Sequence, residues 1–315
     1  MKSVLPDWAN IPCDVVCYIV GKIHPSMQDI VRMGAVCQSW QASIELEPKF
    51  PICLMLAERE DDNDMRRFLT ASEDRVMELE LSEIRGRRCW GTPFGWLASY
   101  SLDFEIRLFN PLSRASFSLP LISPDASTSF LELSFIFKLI LSSSPISPNC
   151  IVEAIYGQTY SLAFVKPGDQ QWTRIDSTRS ISDVTYFDGN FYAVNRIGKV
   201  FRCELGLDEG SSAPKCVEFT DKPPQFNRTE LNFIVDLGGH LCVIGCNYGE
   251  YQYIKEYGEV EMEYINADYP ACTSNCIYFT DNQSEFYSTT KGDGVNTGIY
   301  NCANKEILRL PVGGR

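Results

Sequence analysis

Histidine is almost missing from this 315-residue chain, which has only His24 and His240. A Ser–His–Asp hydrolase would have to use one of them. His24 falls with Pro25 in what reads as a turn after the first helix, which leaves His240, next to the turn Gly238-Gly239. No Gly-x-Ser-x-Gly elbow and no phosphate-cradling glycine loop accompanies it. Positive charge is short too: 28 Lys and Arg stand against 41 Asp and Glu, a net charge of −13. A nucleic-acid binder takes its affinity from cations that neutralise phosphate, so that class is set aside, and an anionic membrane surface with it. No apolar run reaches the roughly eighteen residues a membrane helix needs. The opening Met1-Lys2-Ser3-Val4-Leu5-Pro6-Asp7 lacks the basic-then-apolar order of an export signal. We therefore expect a cytoplasmic and/or nuclear chain with reduced cysteines and idle glycosylation sequons at Asn227 and Asn282.

Cysteine is the exception to this scarcity, with 13 residues. Cys13/Cys17, Cys242/Cys246 and Cys272/Cys276 are each spaced by four. A zinc site would draw on His240, Cys242, Cys246 and either Cys272 or Cys276. These pairs lie in strand-like text, not in tight glycine-rich knuckles, and buried thiols acting as small hydrophobes are the plainer reading. No metal and no cofactor is expected. Carboxylate-pair chemistry of the glycosidase kind would draw on Asp183, Asp188 and Asp236. All three read as turn residues, and no catalytic residue is expected.

The first fifty residues carry the most information. Asn10 can cap a helix, and Pro12 near a first turn costs little because its missing N–H would be unpaired there. Val15, Val16, Ile19, Val20 and Ile23 recur at steps of one, three and four, which is one face of a helix. The face is β-branched, so packing and not propensity must hold it. His24-Pro25 ends this helix, and Ser26-Met27-Gln28-Asp29 reads as a capping box for a second. Ile30, Met33, Val36, Cys37, Trp40 and Ile44 continue a helical stripe with a break at Gly34. Three short helices bury little core by themselves. Such a head shares its apolar surface with the rest of the chain or with another protein.

The order of residues here resembles the F-box, the Skp-adaptor-binding motif of ubiquitin-ligase receptors. The motif's Trp, two residues, Leu-Pro, one residue, Asp and two Leu are met as Trp8, Ile11-Pro12, Asp14 and Val15-Val16. Its later Val-Cys-x-Ser-Trp is met as Val36-Cys37-Gln38-Ser39-Trp40. Ile stands for Leu and Val-Val for Leu-Leu, a small loss of apolar volume. The resemblance implies a Skp-type adaptor, and through it a cullin, as partner. It also implies an adaptor face of Ile11, Pro12, Val15, Val16, Ile19, Val20, Ile23, Val36, Cys37 and Trp40, the last three divided between contact and head packing.

From about Cys89 onward the text is short strands separated by turn chemistry. Val184–Phe187, Asp188-Gly189 and Asn190–Val194 read as a hairpin on a preferred two-residue turn. Phe233–Leu237, Gly238-Gly239 and His240–Ile244 repeat that grammar, and Ala163–Val165 pairs with Gln170–Ile175 around Lys166-Pro167-Gly168-Asp169. A weak echo links Ile106–Pro120 to Gly298–Pro311, each a strand, a polar turn and a strand closing on Leu-Pro. Repeated antiparallel units of about forty residues fit a β-propeller of about five or six blades, with two stacked β-sandwich sheets as the alternative. Ser123–Ser129 and Ser142–Pro148 read as exposed loops.

Gly95-Trp96-Leu97, Leu108–Arg114, Leu119-Pro120, Gly168-Asp169 with Trp172, and Phe187–Val194 resemble the C-terminal domain of a large group of plant F-box proteins. That resemblance implies a kelch-like propeller. One departure is the short, Glu- and Tyr-rich stretch from Asn247 to Asp268, where a blade looks truncated.

The expected fold class is therefore α+β multidomain: a three-helix F-box over 1–50, a charged connecting segment over 51–88, and an all-β, propeller-like target-binding domain over 89–315. The expected function is that of a non-catalytic substrate receptor of a Skp–cullin–F-box ubiquitin ligase. Its target protein is unknown. The alternative is a scaffold or competitor that works without ubiquitin.

Overall fold

A computed structural model describes residues 8–23, 27–34, 36–46, 53–56, 64–70, 75–92, 94–101, 103–111, 113–122, 136–177, 180–207, 212–220, 231–237, 239–246, 255–257, 276–280, 297–301 and 306–309. A 3-10 turn, Trp8–Asn10, leads into α1 (Cys13–Ile23), α2 (Met27–Gly34) and α3 (Gln38–Leu46). The Pro12 carbonyl accepts from the amides of Val15 at 3.1 Å and Val16 at 3.3 Å. Pro12, not Asn10, thus occupies the capping position of α1, where a missing N–H does no harm. Gly34 ends α2 where the apolar stripe breaks, and the Val36 amide donates to the Met33 carbonyl at 3.2 Å. Helix α3 packs on both other helices and on the 3-10 turn. The capping serine expected at Ser26 lies outside the described residues.

The described strands fall into six sheets that follow one another along the chain. The first holds β1 (Cys53–Met55), β2 (Met65–Thr70) and β3 (Arg75–Glu80). The second holds β4 (Arg88–Gly91), β5 (Leu97–Tyr100), β6 (Ile106–Phe109) and β7 (Ser116–Leu119). The third holds β8 (Ile136–Leu141), β9 (Val152–Tyr156), β10 (Ser161–Val165) and β11 (Thr173–Ile175). The fourth holds β12 (Ile181–Phe187), β13 (Asn190–Asn195), β14 (Val200–Glu204) and β15 (Lys215–Thr220). The fifth holds β16 (Leu231–Leu237), β17 (His240–Cys246) and β18 (Lys255–Tyr257), and the sixth β19 (Cys276–Thr280), β20 (Thr297–Asn301) and β21 (Glu306–Arg309). Within each sheet the order is that of the sequence, and neighbours pair antiparallel. Meanders in series, with no strand shared, are the grammar of propeller blades and not of two stacked sheets.

The first sheet lies inside 51–88, the segment expected to be a charged connection. Phe68 and Met77 pair across β2 and β3 and are buried, while Glu78 and Glu80 on the same ladder are less so. Glu78 and Glu80, exposed on β3, and Arg66, buried on β2 with its guanidinium on the Ile84 carbonyl at 3.0 Å, hid two half-buried strands in the sequence. The stretch 247–268, where a blade looked truncated, is described only at β18, a strand of three residues.

Apolar cores sit between successive sheets. Phe68, Met77, Leu81 and Ile84 meet Leu97 and Phe109 of the second sheet. Trp90, Trp96, Tyr100 and Leu108 meet Ile136, Val152, Ala154 and Val165 of the third. Ile155, Leu162 and Phe164 meet Val184, Phe191 and Ala193 of the fourth, and Tyr192 and Val194 meet Ile234 and Val243 of the fifth. Successive residues of β9 therefore serve opposite seams, and every residue of that strand is buried.

Polar ties join the first strands of neighbouring sheets. The Arg88 guanidinium donates to the Ile136 carbonyl at 2.9 Å, and Trp90 Nε1 to the Phe137 carbonyl at 3.1 Å. Lys138 Nζ lies 2.5 Å from Asp183 Oδ1, and the Ile234 amide donates to Asp183 Oδ2 at 3.0 Å. Asp183 is thus a buried link between three sheets, not the turn residue expected. Asp188 and Asp236 do serve turns. Asp188 at φ 42° and Gly189 at φ 78° give the two left-handed residues of a type I′ hairpin, and Asp236 accepts from the Gly239 amide at 2.9 Å.

One carboxyl in the seams is out of place. Glu153 on β9 faces the fourth sheet and is fully buried. Burial pushes it up to about 8 from an ordinary 4.5, while the Cys203 thiol opposes the shift. The folded chain then holds this proton up to about pH 8, whereas the unfolded chain releases it above about 4.5. Its contribution to stability is complete below the lower value and falls as pH rises between the two, by about 1.4 kcal/mol per pH unit. Glu153→Gln keeps the shape and removes the titration. Denaturant melts between pH 5 and 8 should show a flatter stability profile for the variant, and parallel profiles would contradict the assignment.

Candidate functional site

The apolar residues at the start of α1 divide into two sets. Val16 at 0 % exposure and Val20 at 8 % turn into the head. Trp8 at 57 %, Val15 at 41 % and Tyr18 at 66 % face outward, and Pro12 is exposed with them. Ile11 and Ile19 are half-buried. Trp40 Nε1 donates to the Trp8 carbonyl at 2.8 Å, which fixes the 3-10 turn against α3. Val36 is exposed, Cys37 and Trp40 are half-buried, and the exposed Lys22 ends the described part of this face. The structure thus gathers Trp8, Ile11, Pro12, Val15 and Ile19 along one edge and assigns Val16 and Val20 to packing. The Cys17 thiol donates to the Ser43 carbonyl at 3.4 Å, tying α1 to α3 from the inner side.

The head is held to the body by the turn between β6 and β7. Gln41 Nε2 on α3 donates to the Ser113 carbonyl at 3.1 Å. Asn110, almost fully buried, accepts from the Ser113 amide at 3.0 Å, and the Arg114 amide donates to the Asn110 carbonyl at 2.9 Å. Arg114, at φ 61°, carries its guanidinium to both Glu83 oxygens at 2.8 and 2.7 Å and to the Glu80 carbonyl. One turn therefore joins the head, the first sheet and the second. In the sequence Leu108–Arg114 stands out as a motif without a role, and Gln41 carries no signal.

Strand registers place a second cluster at the opposite end of the sheets. Gly91, Leu97, Phe109 and Ser116 share the end that carries the head-docking turn, and Arg88, Tyr100, Ile106 and Leu119 share the other. Arg88 reaches Ile136, which pairs with Tyr156, so the loop 157–160 lies at that far end. The Ser180 amide donates to the Thr159 carbonyl at 2.9 Å, and the Arg196 amide to the Ser180 carbonyl at 3.1 Å. Asn232 donates to the carbonyls of Asn195 and Arg196 at 3.1 and 2.9 Å. The Arg196 guanidinium lies 4.8 Å over the Tyr160 ring, which stacks on Phe137 with centroids 4.2 Å apart. On this face Phe104, Tyr160 and Ser180 adopt φ of 67°, 50° and 70°, unusual for side chains of that kind. Glu105, on the same face, is held below the usual carboxylate range by hydrogen bonds from Arg107 and then Arg87.

Among the described residues neither cluster contains a nucleophile–base pair. His240 is exposed at the start of β17, and His24 is outside the described residues. Among the described residues no three His, Cys, Asp or Glu side chains converge as metal ligands. Cys242 is buried within β17, while Cys272 lies outside the description.

Among the described residues, six meander sheets in series behind a helical head define a β-propeller carrying an N-terminal cap. The chain belongs to the KIB1-4 beta-propeller family, whose family model matches residues 68–263, from within β2 onward. A protein of Arabidopsis thaliana named "Putative F-box protein At5g55150" is 26 % identical over 198 residues, covering 60 % of this chain and 54 % of that protein. The chain thus spans about half the length of that relative. Among solved structures, a chain from the S. cerevisiae complex of Dbp5 with Nup159, Gle1, IP6 and ADP aligns at TM-score 0.36 and 6 % identity, over 78 % of this chain and 69 % of that one. The N-terminal domain of Nup159 aligns at TM-score 0.27 and 8 % identity, over 84 % and 63 %. Likenesses of that size carry no weight for fold or function.

The two sets of valines make a direct contrast. Val16→Ala removes methyl groups from a sealed site and should cost about 2 kcal/mol. Val15→Ala, at the exposed edge, should stay within about 0.5 kcal/mol. Hydrogen exchange of α1 amides in the two variants measures both, and equal effects would contradict the division.

Proposed function

We propose that this chain is a plant F-box receptor: its head binds a Skp-type adaptor and, through it, a cullin, while its kelch-like propeller holds a target protein for ubiquitination. The observation that carries the proposal is the motif Trp8, Ile11-Pro12, Asp14, Val15 folded onto the start of α1 with Trp8, Pro12 and Val15 facing outward. The F-box name of the Arabidopsis relative supports it. Within the adaptor face, Ile11, Pro12, Val15 and Ile19 make direct contact. Val16, Val20 and Trp40 hold the helix that presents them, and Val36 and Cys37 extend the edge. No catalysis is required of this chain. Joining adaptor and target raises the effective concentration of target lysines near a separately recruited conjugating enzyme. The chain would act in the cytoplasm or the nucleus.

The target meets the far face, where loops of the third and fourth sheets converge on Arg196, Tyr160 and Phe137. Loops on a rigid scaffold are where binding residues concentrate, and strained bulky residues persist where surroundings over-determine them. The head docks at the other end, so both partners can be held at once.

Adaptor capture tests the first half. The intact chain should retain a Skp-type adaptor, and Ile11→Ala with Pro12→Ala and Val15→Ala should weaken binding at least tenfold, about 1.4 kcal/mol, with the melting of the body unchanged. An intact chain that fails to retain adaptor where a known F-box protein succeeds would favour the scaffold that acts without ubiquitin. The second half predicts that proteins retained by the adaptor-blind variant are lost on Arg196→Glu and kept on Ile146→Glu, a change in the head-side loop after β8. The reverse pattern would move the target to the head side.

A further inference from the structure

We propose that Cys203 and Cys216 form a dithiol that hydrogen peroxide converts to a disulfide, locking the outer edge of the fourth sheet. The two residues stand directly opposite each other in the β14–β15 ladder. Their sulfurs are 3.7 Å apart, and both are free thiols. Opposed residues of an antiparallel pair hold their Cα atoms about 4.5 to 5.5 Å apart, within the span that a disulfide bridges.

The two thiols are placed differently. Cys203 is buried, with 4 % exposure. Its thiol donates to Glu153 Oε1 at 3.5 Å, and the Cys216 thiol beside it, together with burial, pushes its ionisation well up. Cys216 is half-buried on the outermost strand of the sheet, where a small oxidant arrives first. Peroxide oxidises the Cys216 thiol to a sulfenic acid and leaves as one water. The Cys203 sulfur then attacks the Cys216 sulfur, the S–S bond forms, and the departing hydroxyl takes the Cys203 proton as a second water. Two thiols and one peroxide yield one disulfide and two waters, with two electrons passing from sulfur to oxygen.

The bond would strengthen a place where two sheets already meet. The Asp176 amide, just beyond β11, donates to the Pro214 carbonyl at 2.9 Å, and the Cys216 amide donates back to the Asp176 carbonyl at 2.7 Å. The start of β15 therefore stitches the fourth sheet to the third. A covalent link between β14 and β15 closes the loop 204–215 and restricts the unfolded chain. It also removes the thiol donor from Glu153, so the seam between the two sheets senses the change. This proposal is independent of the adaptor face.

The test exposes the full-length protein to a small molar excess of hydrogen peroxide, followed by alkylation and tryptic peptide mapping. Cleavage after Arg202 and Lys215 puts the two cysteines on separate peptides, 203–215 and 216–228. The expected product is a cross-linked pair lighter than the sum by two hydrogens and dissolved by dithiothreitol, with a melting temperature raised by several degrees. Cys216→Ser should lose both the cross-link and the thermal gain. Cys203→Ser should leave Cys216 to proceed to sulfinic acid. The proposal is overturned if folded protein yields no 203–216 cross-link, or if the thermal gain persists in Cys216→Ser.

Discussion

The rest of the molecule depends on sheets that are apolar on both faces. A strand such as β9 has no solvent side: Val152, Ala154 and Tyr156 serve one seam, and Ile155 the next. A small antiparallel sheet built this way is not stable in water by itself. Each such blade needs a neighbour on either side, and the chain supplies them in order. The series topology follows from that requirement.

Seams made only of aliphatic and aromatic side chains would be free to slip. The inner strands carry directional links that fix them. Arg88 and Trp90 donate to backbone carbonyls of β8, and Asp183 joins Lys138 to the Ile234 amide. A buried carboxylate is tolerated there because it is met by both a cation and an N–H. Glu153 is the contrasting case: a buried carboxyl met by a thiol in place of a cation, and kept neutral by its surroundings. The turn from Asn110 to Arg114 extends the same logic to the head. Gln41 and the Glu83–Arg114 pair orient the helices on the face away from the strained Tyr160 and Ser180 loops.

Much of this was legible in the sequence, for identifiable physical reasons. Asp188-Gly189 announced its hairpin because few residue pairs accept two left-handed positions in succession. Gly34 announced a helix end, and the strands around Gly168 and Gly239 announced theirs. The first sheet was not legible, because Arg66, Arg67, Glu78 and Glu80 mask the spacing of Phe68 and Met77. The role of Asp183 was not legible either, since an Asp in a polar stretch reads as a turn until the next blade is placed beside it. On the head, apolar spacing marked a helix face but did not divide it. Only the packing of α3 shows that Val16 and Val20 point inward and Val15 outward. The far face has no sequence signature, because Tyr160 and Ser180 owe their conformation to distant neighbours.

The fold thus presents two ends of different character: an apolar helical edge, and a polar-aromatic face gathered from several blades. The central claim is that the first of these is the adaptor site and that the second is left free when it is occupied. Hydrogen–deuterium exchange on the full chain, with and without a purified Skp-type adaptor, tests this most directly. New protection should be confined to residues 8–20 and 36–40, with exchange at 157–160 and 195–199 unchanged. Protection that appears on those far-face loops, or no protection on the head at saturating adaptor, would contradict the claim.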